Sequence, residues 1–312
     1  MNWDEEVDMV CTGSGAAALA SAISVVDVGG EAFVAKSIGE DVSSDTHAPT
    51  SPSANRLHRW LGVDIPDSET NEYLAAVSAD LGPLRRSARD VAVPIRVVHE
   101  PAPVESSLTV APFVGSRLRD WAARCVASSY GYLYTRLSDW HSTTLHTSDG
   151  DVIEVAEIGS ITPDPDNVGG SVLDWLTAQA HDRNIVVQPN SSLQRIVFED
   201  GKAVGAVFAT SEGTLAVRAR HGVTVASGGP HVDGAVSYSL PAGDTALRVC
   251  LVGQHASRFG RLELLTSEPL THCVATNCRP VNRQLHVNMH ETYAHSQTWR
   301  CRKIQGYPPL GQ

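Results

Sequence analysis

Residues 7–37, VDMVCTGSGAAALASAISVVDVGGEAFVAKS, constrain the fold more than any other stretch. Val7, Met9, Val10 and Cys11 form a short apolar run, Gly13, Ser14 and Gly15 interrupt it, and Ala16 to Val26 is small, apolar and helix-compatible. After Gly29 and Gly30 a second apolar run, Ala32 to Ala35, supplies another strand. The unit therefore has the length and order of a right-handed crossover between parallel strands. Its turn reads Gly13-x-Gly15-x-x-Ala18, a dinucleotide fingerprint with alanine in the tolerated third place.

The chemistry of such a turn follows from its backbone. Gly13 takes the tight bend, Gly15 admits a pyrophosphate without a side chain in the way, and Ala18 is small enough for helix and strand to approach. The free N–H groups of Ser14, Ala16 and Ala17 then face the anion. One position departs from the pattern: Ala35 and Lys36 stand where a carboxylate usually holds the adenosine ribose. Restoring it by Ala35→Glu is expected to tighten the cofactor. Lys36 admits a second reading, a cation beside a 2′-phosphate, with a solvated strand end as the alternative. The segment SIGEDVSSDTHAPTSP, from Ser37 to Pro52, is a loop. Its Ser37, Ser43 and Ser44 are candidates for the phosphate or flavin side of a cofactor, or simply solvate the surface.

Helical spacing is expected over 53–61 and 67–81, the second opening at Asp67 or Ser68, and short prolyl edge strands over 91–114. Arg117 to Ser129 reads as a helix, followed by the aromatic cluster Tyr130, Tyr132, Tyr134, Trp140 and His141, which suits packing better than ring stacking. A strand, VIEVAEIG, and a turn occupy 151–167. Ser171 to Ala180 forms a helix and Ile185 to Val187 a strand. Ser192–Glu199 and Ala203–Ala209 then flank the hairpin turn Glu199-Asp200-Gly201-Lys202, and Leu215–Ala219 adds a third strand. Finally Gly222 to Ala226 runs into a second small-residue turn, Ser227-Gly228-Gly229.

Charge and cysteine usage narrow the classes. Lys and Arg number 24 against 35 Asp and Glu, a formal −11, which repels nucleic acid and anionic membranes. No apolar run approaches a spanning length and the start MNWDEEVDMV is acidic, so the expected location is the cytoplasm. Six scattered cysteines then imply reduced thiols, Cys11 being buried and inert. No G-x-S-x-G elbow or Walker lysine is present, nor the tyrosine four residues before lysine of a short-chain dehydrogenase. In the tail, Cys273, Cys278, His286, His290, His295 and Cys301 offer metal-ligand types without a paired C-x2-C or an apolar framework, so no metal is assigned.

Several segments in one order resemble the flavoproteins of the fumarate reductase and succinate dehydrogenase type and their 3-ketosteroid dehydrogenase relatives. They are TGSGAAALASAIS, SVLDWLTAQAHDRNIVV, RIVFEDGKAVGAVF and VRARHGVTVASGG. The resemblance covers residues 5–36 and 170–268. It implies an α/β fold: a Rossmann-like FAD-binding domain with a central parallel sheet, an inserted β-hairpin or meander, and a reduced or absent substrate cap. It implies cofactor contacts from Val197, through its backbone on the adenine, and from Ala226, Ser227, Gly228 and Gly229. AGDTALRVCLVGQHASRFGRLELLTSEP is similar to the family's Gly-Asp-Gly helix and following strand, with Thr245 in place of the last glycine.

The expected organisation is an FAD-binding domain over 1–268, with 53–165 an irregular helical and stranded subdomain or lid, and a tail over 269–312. The cap that carries the family's chemistry has no counterpart after Glu268, and no catalytic residue is identifiable. The expected function is non-covalent FAD holding with little catalysis, similar to actinobacterial FAD-sequestering proteins. An FAD-dependent oxidoreductase with a replaced lid and a cofactor-free scaffold are the alternatives. FAD is the expected partner, nucleic acid and membrane are not, and a homo-oligomer is left open.

Overall fold

The apolar run before Gly13 becomes β2 (Met9–Thr12), with all four residues buried. Alanines make the helix after it, α1 (Ala16–Asp27), narrow on its inner face. Ala16, Ala17, Ala18, Ala20 and Ala22 are all buried there. The second run is β3 (Ala32–Ala35), parallel to β2 with Met9 opposite Ala32. The computed structural model describes residues 2–13, 15–36, 65–81, 88–99, 115–136, 142–148, 150–227, 240–241 and 244–270. Ser14, Ser37, Ser43, Ser44, Gly228 and Gly229 lie outside them, as do the helix expected over 53–61, Trp140, His141 and the tail cysteines and histidines.

Strand β8 (Val186–Gln188) adds to β3, and β12 (Val223–Ala226) adds to the other side of β2, both in parallel. The order β8-β3-β2-β12 is the 3-2-1-4 arrangement of a doubly wound sheet, whose switch point falls between β2 and β12. These four strands are part of a ten-stranded mixed sheet. Beyond β12 stands β5 (Gly131–Tyr134), antiparallel, so a strand from the middle of the chain fills the next place. Helix α4 (Val168–Asp182), capped by Asn167 on the Gly170 N–H, packs beside α1.

Two further parts complete the described fold. β1 (Glu5–Val7), β11 (Gly213–Ala219), β10 (Lys202–Thr210) and β9 (Ser192–Glu199) form a four-stranded sheet in that order. Its hairpin turns at Asp200 (φ 49°) and Gly201 (φ 72°), the left-handed pair that a two-residue turn between twisted strands needs. α2 (Ser68–Ser78) lies against β9, with Asp67 capping the Thr70 N–H at 2.8 Å.

The other part is a ring. β4 (Ile95–His99), β6 (Thr143–Thr147), β7 (Val152–Ile161), β13 (Leu247–Gly253) and β14 (Phe259–Thr266) each pair with the next, and β14 returns to β4. Their alternating buried residues, among them Val98, Leu145, Ile153, Val155, Cys250, Val252 and Leu265, belong to one apolar cluster. α3 (Gly115–Ala127) packs on β14, and its Trp121 donates Nε1–H to the Phe259 carbonyl at 2.8 Å. Glu263, fully buried, is clamped by Arg96 at 2.8 and 3.0 Å and by Arg261.

The Gly-Asp-Gly helix implied for the segment after Ala242 is corrected by this ring. Residues 247–253 are a strand, because Leu247, Val249 and Leu251 pack toward α1 while Cys250 and Val252 pack to the opposite face. A period of two with both faces buried suits a strand and not a helix.

Candidate cofactor site at the Gly13 turn

The turn after β2 is held from two sides. Gly13 has φ 129°, a conformation that only glycine adopts readily, and its N–H donates to the Ala35 carbonyl at 3.1 Å. A Cβ on Gly13 would stand 2.5 Å from the Ala226 carbonyl oxygen, and one on Gly15 would collide with the Ser227 carbonyl. The glycines are thus demanded first by the close crossing of this turn with the end of β12. That is a cause different from the open approach to an anion expected of Gly15.

Gly15 is the N-cap of α1. No side chain caps the helix and no acid lies in its first turn. The Ala18 N–H is taken by the Gly15 carbonyl at 3.1 Å, which leaves Ala16 and Ala17, both fully buried, at the positive end of the helix dipole. Ala226 and Ser227 sit directly against the turn, and the Ser227 hydroxyl is buried without a hydrogen-bond partner. Ser129, which sequence reasoning missed, has the same property, and its carbonyl oxygen lies 3.8 Å from the Cβ position of Gly15. Only the pairing of β5 with β12 brings it there.

Ala35 and Lys36 divide at the end of β3. The Ala35 side chain is fully buried in the cluster that holds Phe33, on the face away from α1. A carboxylate there would enter an apolar core, so Ala35→Glu is corrected from a gain in affinity to a loss of stability. Lys36 is exposed, with its N–H on the Gln188 carbonyl and its carbonyl accepting from Ser191. With Gly13, Gly15, Leu19 and Val34 it lines a cleft of about 510 Å³ completed by α4 and β8. Val197 does not line that cleft. It lies in edge strand β9, where the outward-facing N–H of Ile196 is taken by Thr70 Oγ1 at 2.9 Å, and strand alternation turns Val197 toward β10.

The described cysteines carry no nucleophile. Burial pushes the Cys11, Cys125 and Cys250 thiols up to about 12. Tyr132 and Tyr134 lie 4.8 Å apart, ring to ring, and burial raises both phenols.

The family described as FAD binding domain matches residues 55–251, more than half of the chain. The chain belongs to this family. The match begins after the Gly13 turn and takes in α4, the β9–β10 hairpin and β12. None of the curated proteins matches the chain. Among solved structures, the open conformation of a flavocytochrome c3 fumarate reductase is similar at 15% identity and a TM-score of 0.28, over 70% of this chain and 33% of that one. The 3-ketosteroid Δ4-(5α)-dehydrogenase from Rhodococcus jostii RHA1 is similar at 17% identity and a TM-score of 0.29, over 72% and 46%. The 3-ketosteroid Δ1-dehydrogenase from Sterolibacterium denitrificans gives 14% and 0.29, over 70% and 47%. The chain thus spans between a third and a half of those structures, and the family assignment rests on the family match.

FAD is the cofactor of this FAD-binding domain, and the residues present fit it. The uncapped start of α1 and the unpartnered buried hydroxyl on Ser227 form a donor set suited to a diphosphate. Bound FAD would supply redox chemistry at its flavin ring. Among the described residues no group of three or more His, Cys, Asp or Glu is placed to hold a metal ion, and no helix is long and apolar enough to cross a membrane.

Proposed function

We propose that this FAD-binding domain holds FAD non-covalently and performs little chemistry of its own, as a flavin-sequestering or storing protein. One observation carries the reading. Strands drawn from both sides of α4 close into a ring whose inward side chains, from Val98 to Leu265, belong to a continuous apolar cluster, so this part of the molecule is a packed core rather than a substrate chamber. The cofactor is held at the Gly13 turn by main-chain amides and the Ser227 hydroxyl, groups that bind and orient without exchanging protons at neutral pH.

A hydride-transferring oxidoreductase of the fumarate reductase or 3-ketosteroid dehydrogenase type is the second reading. The cleft of about 510 Å³ that opens beside the same turn favours it. Purified protein loaded with FAD, reduced by light and then mixed with fumarate, a 3-ketosteroid acceptor or a quinone, separates the two. The holding function predicts slow reoxidation that no acceptor accelerates. Saturable reoxidation at enzymatic rates by one acceptor would overturn it, and a protein that takes up no FAD would overturn both.

A further inference from the structure

Ser128, Ser129 and Tyr130 form the turn between α3 and β5. The main-chain N–H groups of all three and the Ser128 hydroxyl have partners, and the Ser129 hydroxyl has none. The Ser128 hydroxyl accepts from the Tyr130 N–H at 3.1 Å, and the Ser128 N–H returns to the Arg124 and Cys125 carbonyls that end α3. The Ser129 N–H donates to the Asp90 carbonyl at 2.9 Å, and the Gly131 carbonyl accepts from the Ser227 N–H at 2.9 Å. The main chain on either side of Ser129 is thus clamped between the Asp90 segment and the end of β12. What is left over is the Ser129 hydroxyl, 1% exposed as a residue and without a partner.

Leaving a buried hydroxyl unbonded costs on the order of 1–3 kcal/mol, and such groups are rare unless something else satisfies them. Two features place the residue that carries it beside the start of α1. The Ser129 carbonyl lies 3.8 Å from the Cβ position of Gly15, the uncapped start of twelve-residue α1. Ser227, across the same crossing, has an equally buried and unpartnered hydroxyl. Two stranded donors flanking one helix start suit two phosphate oxygens of a single diphosphate.

We infer that Ser129 is a further cofactor-binding residue, its hydroxyl donating to the diphosphate of FAD at the start of α1. The inference rests on the FAD-holding reading and adds to it a contact from a segment outside the parallel strands. It also makes the diphosphate, rather than the flavin ring, the group that β5 helps to grip.

Ser129→Ala in the full chain tests this, with FAD and ADP as separate probes titrated by flavin fluorescence and by calorimetry. The expected result is a roughly tenfold rise in Kd for both probes, with the unfolding temperature of the cofactor-free protein unchanged or higher. Ser129→Gly removes the same hydroxyl and serves if the alanine variant does not fold, and Ser129→Thr should restore much of the affinity. Unchanged affinity for both probes, or a loss confined to FAD with ADP unaffected, would overturn the assignment. Wild-type protein that binds neither FAD nor ADP would overturn the FAD-holding reading itself.

Discussion

The switch point between β2 and β12 and the ring of β4, β6, β7, β13 and β14 treat buried polar groups in opposite ways. In the ring, the one fully buried carboxylate, Glu263, has Arg96 and Arg261 on it, and the Arg261 guanidinium also lies 5.3 Å from the Trp121 ring centre. The carboxylate and both guanidinium groups each have an opposite charge in contact. At the switch point, Ser129 and Ser227 keep buried hydroxyls without partners around a helix start that has no cap. The difference teaches where to look for a ligand: a saturated polar cluster specifies structure, whereas two stranded hydroxyls beside an uncapped helix start leave room for one.

That contrast breaks most visibly at Glu263. Glu263→Ala leaves two guanidinium groups without their carboxylate and is expected to cost about 3–5 kcal/mol in denaturant unfolding, with FAD affinity unaffected in whatever protein remains folded. The same group has a pH signature. Burial pushes its carboxyl up, but Arg261 and Arg96 together outweigh that and hold it below the ordinary value. A depressed folded pKa stabilises the protein above the unfolded pKa, and that contribution disappears as pH falls through the folded one. The stability gap between wild type and Glu263→Gln should therefore narrow in acid. A gap that stays constant down to the acid limit would show that the carboxylate is not held in its charged form by the two arginines.

Ala35→Glu comes next, because it places a carboxylate in an apolar cluster with no arginine provided for it. A loss of about 3 kcal/mol is expected, and tighter FAD binding by a stable variant would reverse the placement of the Ala35 side chain. Gly15→Val should cost roughly 1–3 kcal/mol through collision with the Ser227 carbonyl, measurable in the cofactor-free protein and therefore separate from any loss of FAD. The smallest effect sharpens the comparison most. Ser227→Ala should raise the stability of the cofactor-free protein by about 1 kcal/mol while weakening FAD; a drop in stability would mean that the hydroxyl has a structural partner after all.

Much of this was legible where local rules decide. Asp200-Gly201 signals its turn by the left-handed backbone it needs, Asp67 announces α2, and Gly13 marks the crossover. The ring was not legible, because its β4–β14 and β13–β7 pairings join segments far apart in the chain. The run Leu247–Gly253 also carries a glycine-aspartate lead-in that imitates a helix start. Ala35 was read at the right place but not on the right face: strand alternation puts it with Phe33, away from α1. Ser129 carries no motif at all. Its meaning comes only from the antiparallel seat of β5 beside β12.

The parallel neighbours of β2 are β3, which follows at once, and β12, which ends at Ala226. On a ribosome, the crossover containing Gly13 would be complete at Ala35 and wait until Val223–Ala226 before the strand it crosses exists. Entropy of closing so long a loop delays that step further. A nascent chain therefore has no grip to offer a nucleotide until β12 has been made, and uptake of the coenzyme reports that the first and last of the four parallel strands have met.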